Sequence, residues 1–140
     1  MRNLVLGSVV LCTLILGSLS WTSTAATDLH KQKAVTQFDS PVMLQGVVLK
    51  GKYLFVHDDA AMNRGDACTY IYKGAAERSD KLVASFHCIH VERAKARRFT
   101  VRSAETSPGI VELREFQFRG ETAGHAVPMS KKIEVVPLAN

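Results

Sequence analysis

The stretch Leu82-Val83-Ala84-Ser85-Phe86-His87-Cys88-Ile89-His90 combines core-forming residues with side chains that carry chemistry. Its apolar residues occur at both parities, which is typical of a strand that is buried on both faces. Two histidines flank the cysteine, and imidazole and thiolate groups bind metals and take part in redox reactions. The stretch therefore predicts a central strand around which the neighbouring strands and the candidate ligands are arranged.

The run that precedes this strand predicts its hairpin partner. In residues 68–73 aromatic and β-branched residues alternate, which favours a strand. If Cys68 lies opposite Cys88 in an antiparallel hairpin, the two cysteines are in position for a disulfide. The same register places Tyr70 opposite Phe86 as an aromatic pair. The disulfide would close a loop of about twenty residues and stabilise the domain by about 3 kcal/mol in the chain-entropy model.

The rest of the chain shows short alternating runs separated by polar turns. Residues 42–49 and 53–57 predict a hairpin that reverses at Lys50-Gly51-Lys52. Asp58 is placed to cap a single helical turn before Gly65. Six to seven short strands with almost no helical periodicity predict an all-β fold, namely a compact antiparallel sandwich or barrel.

Two local features towards the end of the chain bear on the fold and on the candidate sites. The apolar positions in residues 110–119 change parity at Arg114-Glu115, which predicts a β-bulge. Residues 120–128 contain two glycines and a proline, so they predict a loop, and this loop holds His125. Residues 133–136 predict a short edge strand.

The first residues have the pattern of a secretory signal. Residues 1–26 contain Arg2, then an apolar run, then small residues, which predicts a signal peptide and an exported protein in the periplasm or outside the cell. We expect no stable transmembrane span after cleavage. Residues 27–40 are polar and predict a flexible lead-in, and residues 41–140 predict a single β domain.

Four stretches, at 51–59, 68–73, 82–90 and 120–128, resemble small exported bacterial proteins of unknown function. The resemblance covers most of the chain after the signal segment and implies export. It implies no catalytic residue and no ligand.

Charge predicts the main function. The chain has 18 Lys and Arg residues against 13 Asp and Glu, a formal net charge of +5. The densest positive region contains Arg93, Lys95, Arg97, Arg98 and Arg102. Such a face favours an anionic envelope component or a protein partner, whereas export argues against nucleic acid. We therefore expect a non-catalytic binding protein without a cofactor.

A metal site is the alternative function. Its candidate ligands are His57, His90, His125 and Met129, with or without Cys68 and Cys88, and such a set of imidazole, thioether and thiolate groups suits copper or zinc. The disulfide is the preferred interpretation of Cys68 and Cys88, the two cysteines that follow the signal segment, because an even pair in a small exported domain is usually bonded.

The sequence contains no signature of an enzyme. It has no Gly-x-Ser-x-Gly motif, which marks the nucleophile of many hydrolases. Glu112 and Glu115 form the nearest approach to a carboxylate pair, and they are explained equally well as charge on the solvent face of a bulged strand.

Overall fold

A computed structural model describes residues 30–129, which form one curled, mostly antiparallel sheet. Its elements are β1 (Lys31–Leu44), β2 (Val47–Asp58), α1 (Asp59–Asn63), β3 (Thr69–Lys73), a 3-10 turn (Ser79–Lys81), β4 (Leu82–Phe86), β5 (Ile89–Glu92), β6 (Thr100–Ser107), β7 (Ile110–Gln117) and β8 (Ala123–Ala126). The strand order is β4-β3-β2-β1-β7-β8-β5, and β6 pairs with β7 outside this path. The predicted all-β class is confirmed.

The first hairpin reverses at a different place from the predicted one. Gln45 and Gly46 form the turn with φ of 48° and 86°, and two successive positive φ angles suit a tight hairpin turn. Strand β2 runs straight through Lys50-Gly51-Lys52, so the prediction of a reversal there is wrong. Gly51 has φ of 92° beside a bulge in β1, where the register shifts between Phe38 and Val42. Gly51 therefore provides the backbone conformation that the bulge within the hairpin requires.

Most of the predicted flexible lead-in is a strand. Residues 31–40 belong to β1 and pair with β2 from Lys31↔Asp58 to Phe38↔Gly51. Their polar side chains alternate with half-buried ones, because this part of the strand has one face towards solvent. Lys33 pairs with Glu77 at 2.7 Å, which gives one of the outward-facing cations a partner. The domain therefore includes β1, and the prediction of a lead-in is wrong from residue 31.

Strands β3 and β4 form the predicted hairpin, but its register is shifted by one residue. Thr69 lies opposite Phe86 and Tyr70 lies opposite Ser85, so the predicted Tyr70 and Phe86 pair is wrong. A shift of one residue exchanges the two faces of a strand. Ile71 and Phe86 consequently pack in the main core, and Tyr70 packs in a smaller cluster on the opposite face of β2.

Two predictions of local geometry are confirmed. The Asp58 side chain accepts a hydrogen bond from the Ala61 backbone N–H at 3.0 Å and caps α1. In the β6–β7 pair, Arg102 lies opposite Glu115 and the next residue, Ser103, lies opposite Leu113, which places the predicted bulge at Arg114. The bulge allows the apolar residues before and after it to face the same core.

The main core lies inside the curl of the sheet. Phe55 on β2 and Phe116 on β7 are fully buried, and their ring centroids are 5.4 Å apart. His125 stacks on Phe116 at 5.1 Å with an angle of 19° between the rings, so the histidine extends this aromatic layer. In the part of the chain that the structure describes, no helix is both long and apolar enough to cross a membrane.

Three predictions fall outside the described residues. The signal peptide at residues 1–26 lies there, and so does the start of the lead-in at residues 27–29. The edge strand predicted for residues 133–136 lies beyond Met129, the last described residue.

Candidate metal-binding site

The curl of the sheet brings three distant parts of the chain together. His57 follows the core residue Phe55 by two positions on β2, so both side chains face the main core. His125 lies on β8 opposite Phe116. Cys88 lies in the short link between β4, which pairs with β3, and β5, which pairs with β8. The link crosses the end of the core and carries the cysteine between the two histidines.

His57, Cys88 and His125 form what we call the ligand cluster. Cys88 Sγ lies 3.7 Å from Nδ1 of His57 and 3.4 Å from Nδ1 of His125. All three potential ligand atoms lie within 4.8 Å of one another. The three residues are at most 3% exposed. One sulfur and two imidazole nitrogens therefore converge on a single buried point.

The distances in the ligand cluster suit a transition metal. Bonds of about 2.3 Å to sulfur and about 2.0 Å to nitrogen place tetrahedral ligand atoms about 3.5 Å apart. The two sulfur–nitrogen distances of 3.4 and 3.7 Å lie on either side of this value. A thiolate with two imidazoles is a donor set that copper and zinc both accept. The donor set and these spacings make the cluster a candidate site for either ion.

A carboxylate lies next to one of the histidines. Nε2 of His57 lies 3.1 Å from Oδ1 of Asp59, and Asp59 also pairs with His30 at 3.0 Å. Among residues 30–129 this Nε2 atom has no hydrogen bond of good geometry, so the carboxylate acts on the ring through its charge and its proximity. Metal-binding histidines commonly have such a carboxylate partner, which fixes the ring and raises its basicity.

The second histidine carries a buried nitrogen without a partner. Nε2 of His125 makes no hydrogen bond to any of residues 30–129, although the residue is 3% exposed. Its ring centroid lies 4.1 Å from that of His57. Buried polar atoms are nearly always satisfied, so this one calls for an explanation. An ion held by Nδ1, the nitrogen that faces Cys88, would leave Nε2 without a hydrogen bond.

Burial sets the protonation of the ligand cluster. Burial first, and then the neighbouring His57 and His90, lower the pKa of His125 to about 3. Burial also lowers the pKa of His57, against the opposing effect of Asp59. Both imidazoles are therefore neutral at pH 7 and have lone pairs to donate. Burial, followed by a hydrogen bond with Cys68, raises the pKa of Cys88 to about 12, so a metal would have to displace the thiol proton.

Cys68 lies beside the cluster as a thiol. Its Sγ is 3.3 Å from Sγ of Cys88 and accepts the Cys88 backbone N–H at 3.3 Å. Both cysteines are free and buried, and a disulfide needs a separation of about 2.05 Å. The predicted proximity of the two residues is present, but the predicted bond is not. Cys68 is not a member of the three-residue ligand group.

Two predicted ligands lie away from the cluster. The His90 side chain is 53% exposed, and its Nε2 is 3.6 Å from a Glu92 carboxylate oxygen. Met129 is 78% exposed. The structure therefore brings His57 and His125 together with Cys88, whereas His90 and Met129 lie elsewhere.

The predicted basic face divides into two groups. Arg93 and Arg102 both bind Glu115, at 2.7 and 2.8 Å, so their charges are already paired. Lys95, Arg97 and Arg98 are exposed in the connection between β5 and β6, which we call the basic loop. Within this predicted face, only the basic loop presents charge that no carboxylate of residues 30–129 pairs with.

Sequence reasoning missed two residues. Glu115 is 5% exposed and ion-paired, so its interpretation as charge on a solvent face is wrong. The predicted bulge was the signal for it, because a bulge redirects the side chains that follow it. Asp59 was missed as the partner of His57. Asp59 begins α1, so strand alternation does not predict where its side chain lies, and only the folded structure places it beside His57.

Comparison with protein-family models, with curated proteins and with solved structures gives no match. Function resides in the chemistry of a site more than in the fold that carries it. The residues of the ligand cluster and of the basic loop are therefore the basis for a proposed function.

Proposed function

We propose that this protein is an exported, non-catalytic metal-binding protein that holds one copper or zinc ion between Nδ1 of His57, Sγ of Cys88 and Nδ1 of His125. The observation that carries the proposal is the convergence of these three buried ligand atoms within 4.8 Å of one another. The three atoms belong to distant parts of the chain and are the soft and borderline donors that copper and zinc prefer.

Each residue has a distinct role in the proposed site. The Cys88 thiolate supplies the negative charge and the soft donor that favour copper and zinc over magnesium or calcium. His57 and His125 supply neutral nitrogen donors. Asp59 positions His57 through its 3.1 Å contact with Nε2.

The burial of the cluster favours retention of the ion over catalysis. A catalytic metal keeps an open coordination position that a substrate can reach. Here the ligand residues are at most 3% exposed, so a substrate larger than water has no direct access to the ion. We therefore propose binding or storage of the metal as the role. The expected signal peptide would place it in the periplasm or outside the cell.

Metal uptake by the reduced protein tests this function. We expect purified protein to bind one zinc or Cu(I) ion per chain, measured by equilibrium dialysis with elemental analysis. Replacement of Cys88 by Ser or of His125 by Ala should weaken binding at least about 100-fold, because each removes one of three ligands. The matched control is His90→Ala, which removes an exposed histidine paired in register with His125.

Two outcomes would refute the metal-binding proposal. One is the absence of uptake by reduced wild-type protein. The other is an equal loss of binding in His90→Ala and in His125→Ala, which would place the ion on the surface. A circular dichroism spectrum of each variant separates lost ligands from lost folding.

A second candidate function is supported by the basic loop. Lys95 and Arg97, together with Arg119, line a shallow depression of about 430 Å³. The loop is held in place, since Gln117 donates to the Ala94 carbonyl at 2.9 Å. We propose that this surface attracts an anionic envelope component, since fixed positive charge in a concave surface concentrates anions.

Vesicle binding tests the second candidate. A charge reversal, Lys95→Glu with Arg97→Glu, should lower the affinity for vesicles with anionic lipid more than about tenfold, because each basic residue near such a surface contributes about 1 kcal/mol. The control is Lys50→Glu with Lys52→Glu, which changes the net charge equally at two exposed lysines on β2. Equal losses in both double variants would show that only net charge matters and that the basic loop is not a site.

A further inference from the structure

A single sulfur atom in the ligand cluster has two possible partners. Cys88 Sγ faces Nδ1 of His125 at 3.4 Å, and it also faces Sγ of Cys68 at 3.3 Å. Cys68 lies outside the group of mutual ligand neighbours, and its hydrogen-bonding contacts with that group are to Cys88. The two contacts of Cys88 therefore correspond to two different chemical states of the same atom.

The two states exclude each other. As a ligand, Cys88 donates a thiolate electron pair to the metal. As a disulfide partner, the same sulfur is neutral and a poor donor, and a site that is left with two imidazoles loses its charge and its soft ligand. Formation of a Cys68–Cys88 bond would therefore release the ion.

We propose that Cys68 makes the metal site redox-gated: oxidation joins Cys68 to Cys88 and expels the metal, and reduction restores the site. This inference rests on the proposed metal-binding function. The oxidant is a hydroperoxide, because both thiols are at most 1% exposed and only a small molecule reaches them.

The reaction balances with hydrogen peroxide as the oxidant. The Cys88 thiolate attacks one peroxide oxygen, the O–O bond breaks, and hydroxide leaves, which gives a sulfenic acid at Cys88. The Cys68 thiol then attacks that sulfur, its proton passes to the leaving hydroxyl group, an S–S bond forms, and water leaves. Two electrons pass from the two sulfurs to the peroxide oxygens, and zinc, which has no redox chemistry, is set free as Zn²⁺.

The test follows zinc release and the mass of the protein together. Zinc-loaded wild-type protein is treated with hydrogen peroxide, and free zinc is measured with a chelating dye. We expect release of one zinc ion per chain in step with the loss of two hydrogens from the protein, and full rebinding of zinc after reduction. Oxidised glutathione, which is larger, should release at least about tenfold less zinc in the same time, because it does not reach buried thiols.

Replacement of Cys68 by Ser separates a gate from a ligand. The variant should bind zinc within a few-fold of wild type, because Cys68 is outside the ligand group, and it should not form the disulfide. Cys68→Ala serves the same purpose if the buried serine prevents folding. Loss of zinc binding in folded variants would make Cys68 a ligand and overturn the gate.

The outcomes distinguish this inference from the function it rests on. A disulfide that forms while zinc stays bound overturns the gate alone. Zinc release without any loss of two hydrogens also overturns the gate alone. Failure of reduced wild-type protein to bind any metal overturns both proposals.

Discussion

The ligand cluster and the ion pairs around Glu115 are two groups of buried polar side chains in one small sheet, and they differ in how completely their atoms are satisfied. Glu115 accepts hydrogen bonds from Arg93 at 2.9 and 2.7 Å and from Arg102 at 2.8 Å. Gln117 receives the second Arg102 bond and donates to two backbone carbonyls. We call these four residues the Glu115 network, and it is closed within the protein.

The ligand cluster is not closed in this way. Its contacts join thiol sulfur to imidazole nitrogen at 3.4 and 3.7 Å, and Nε2 of both histidines lacks a hydrogen bond among residues 30–129. A satisfied buried network stabilises the fold, whereas sulfur–nitrogen contacts are weak enough for the same atoms to bind an ion instead. Burial alone therefore does not identify a functional site, whereas the state of the donors and acceptors does.

Metal binding should have the largest effect on the stability of the protein. A ligand that binds only the native state adds about 4 kcal/mol to the free energy of unfolding at a thousandfold excess over its Kd. We expect zinc to produce such a rise in urea unfolding experiments on the reduced wild-type protein. The Glu115→Gln variant should show the same rise, because the Glu115 network does not touch the proposed ion. A rise that survives His57→Ala with His125→Ala would place the metal elsewhere.

Acid should destabilise the metal-free protein through the ligand cluster first. The pKa of His125 is about 3 in the native state and about 6.5 in the unfolded chain. The unfolded chain therefore binds a proton first as the pH falls below 6.5, and the native state loses up to about 1.4 kcal/mol per pH unit for this group. We expect a loss of about 2 kcal/mol between about pH 6.5 and 4.5, measured by urea unfolding.

The His125→Phe variant provides the control for the acid prediction. Phenylalanine keeps the stacking on Phe116 and cannot titrate. Its unfolding free energy should therefore fall less steeply across this pH range. A slope equal to that of wild type would mean that His125 is not held neutral in the native state.

The Glu115 network should respond at lower pH. Hydrogen bonds from Arg93, followed by the charges of Arg93 and Arg102, hold the pKa of Glu115 below its usual value. Its stabilisation is present above the unfolded pKa of about 4.3 and is lost as the pH falls through the native value. Glu115→Gln should cost about 2 kcal/mol at pH 7, since charged hydrogen bonds are lost and both arginines are partly exposed. Urea unfolding at pH 7 measures this, and a cost near zero would show that the network is not stabilising.

The smallest expected effect concerns the support of the ligand cluster. Asp59→Asn keeps the shape of the side chain but removes its charge, so His57 loses the negative charge beside its Nε2. We expect metal affinity to fall about tenfold, as is usual for the partner of a metal-binding histidine. Asp66→Asn is a suitable control, because that exposed carboxylate pairs with Arg64 outside the cluster. Equal affinities in wild type and Asp59→Asn would separate Asp59 from the site.

Sequence periodicity predicts the parts of the fold that depend on alternation. The alternation of Tyr53, Phe55 and His57 predicts one face of a strand, and the three do face the main core or the ligand cluster. The bulge at Arg114 is visible in the sequence as a change of parity. These features are local, and local pattern is sufficient for them.

The alternation of apolar residues does not predict which strands pair with each other or where a strand ends. Strand β1 has polar residues and forms because β2 supplies its backbone hydrogen bonds. The glycines near His125 predict a loop, but Gly124 is a strand residue of β8. A Cβ added there would lie 2.7 Å from Oε1 of Glu115, so the glycine makes room for the Glu115 network. Both the formation of β1 and the need for a glycine at position 124 therefore depend on residues that are distant in sequence.

The sequence predicts which types of side chain form the candidate site, but it does not predict which residues come together there. The sequence identifies His57, His125 and the cysteines as metal donors, yet the expected disulfide between Cys88 and Cys68 favours a different use of the sulfur. Whether the Cys88 sulfur faces Cys68 alone or also the two histidines depends on the link at residues 87–88. Strand β4 ends before this link, and β5 begins after it and pairs with a different strand. A continuous strand from 82 to 90 would have kept Cys88 on one neighbour only.

X-ray absorption spectroscopy of the reduced protein, loaded with one equivalent of zinc, would identify the atoms that hold the ion. We expect one sulfur ligand at about 2.3 Å and two imidazole nitrogens at about 2.0 Å, with any further ligand a light atom. A coordination shell of nitrogen and oxygen alone, without sulfur, would contradict the proposed role of Cys88 and with it the metal site in the ligand cluster.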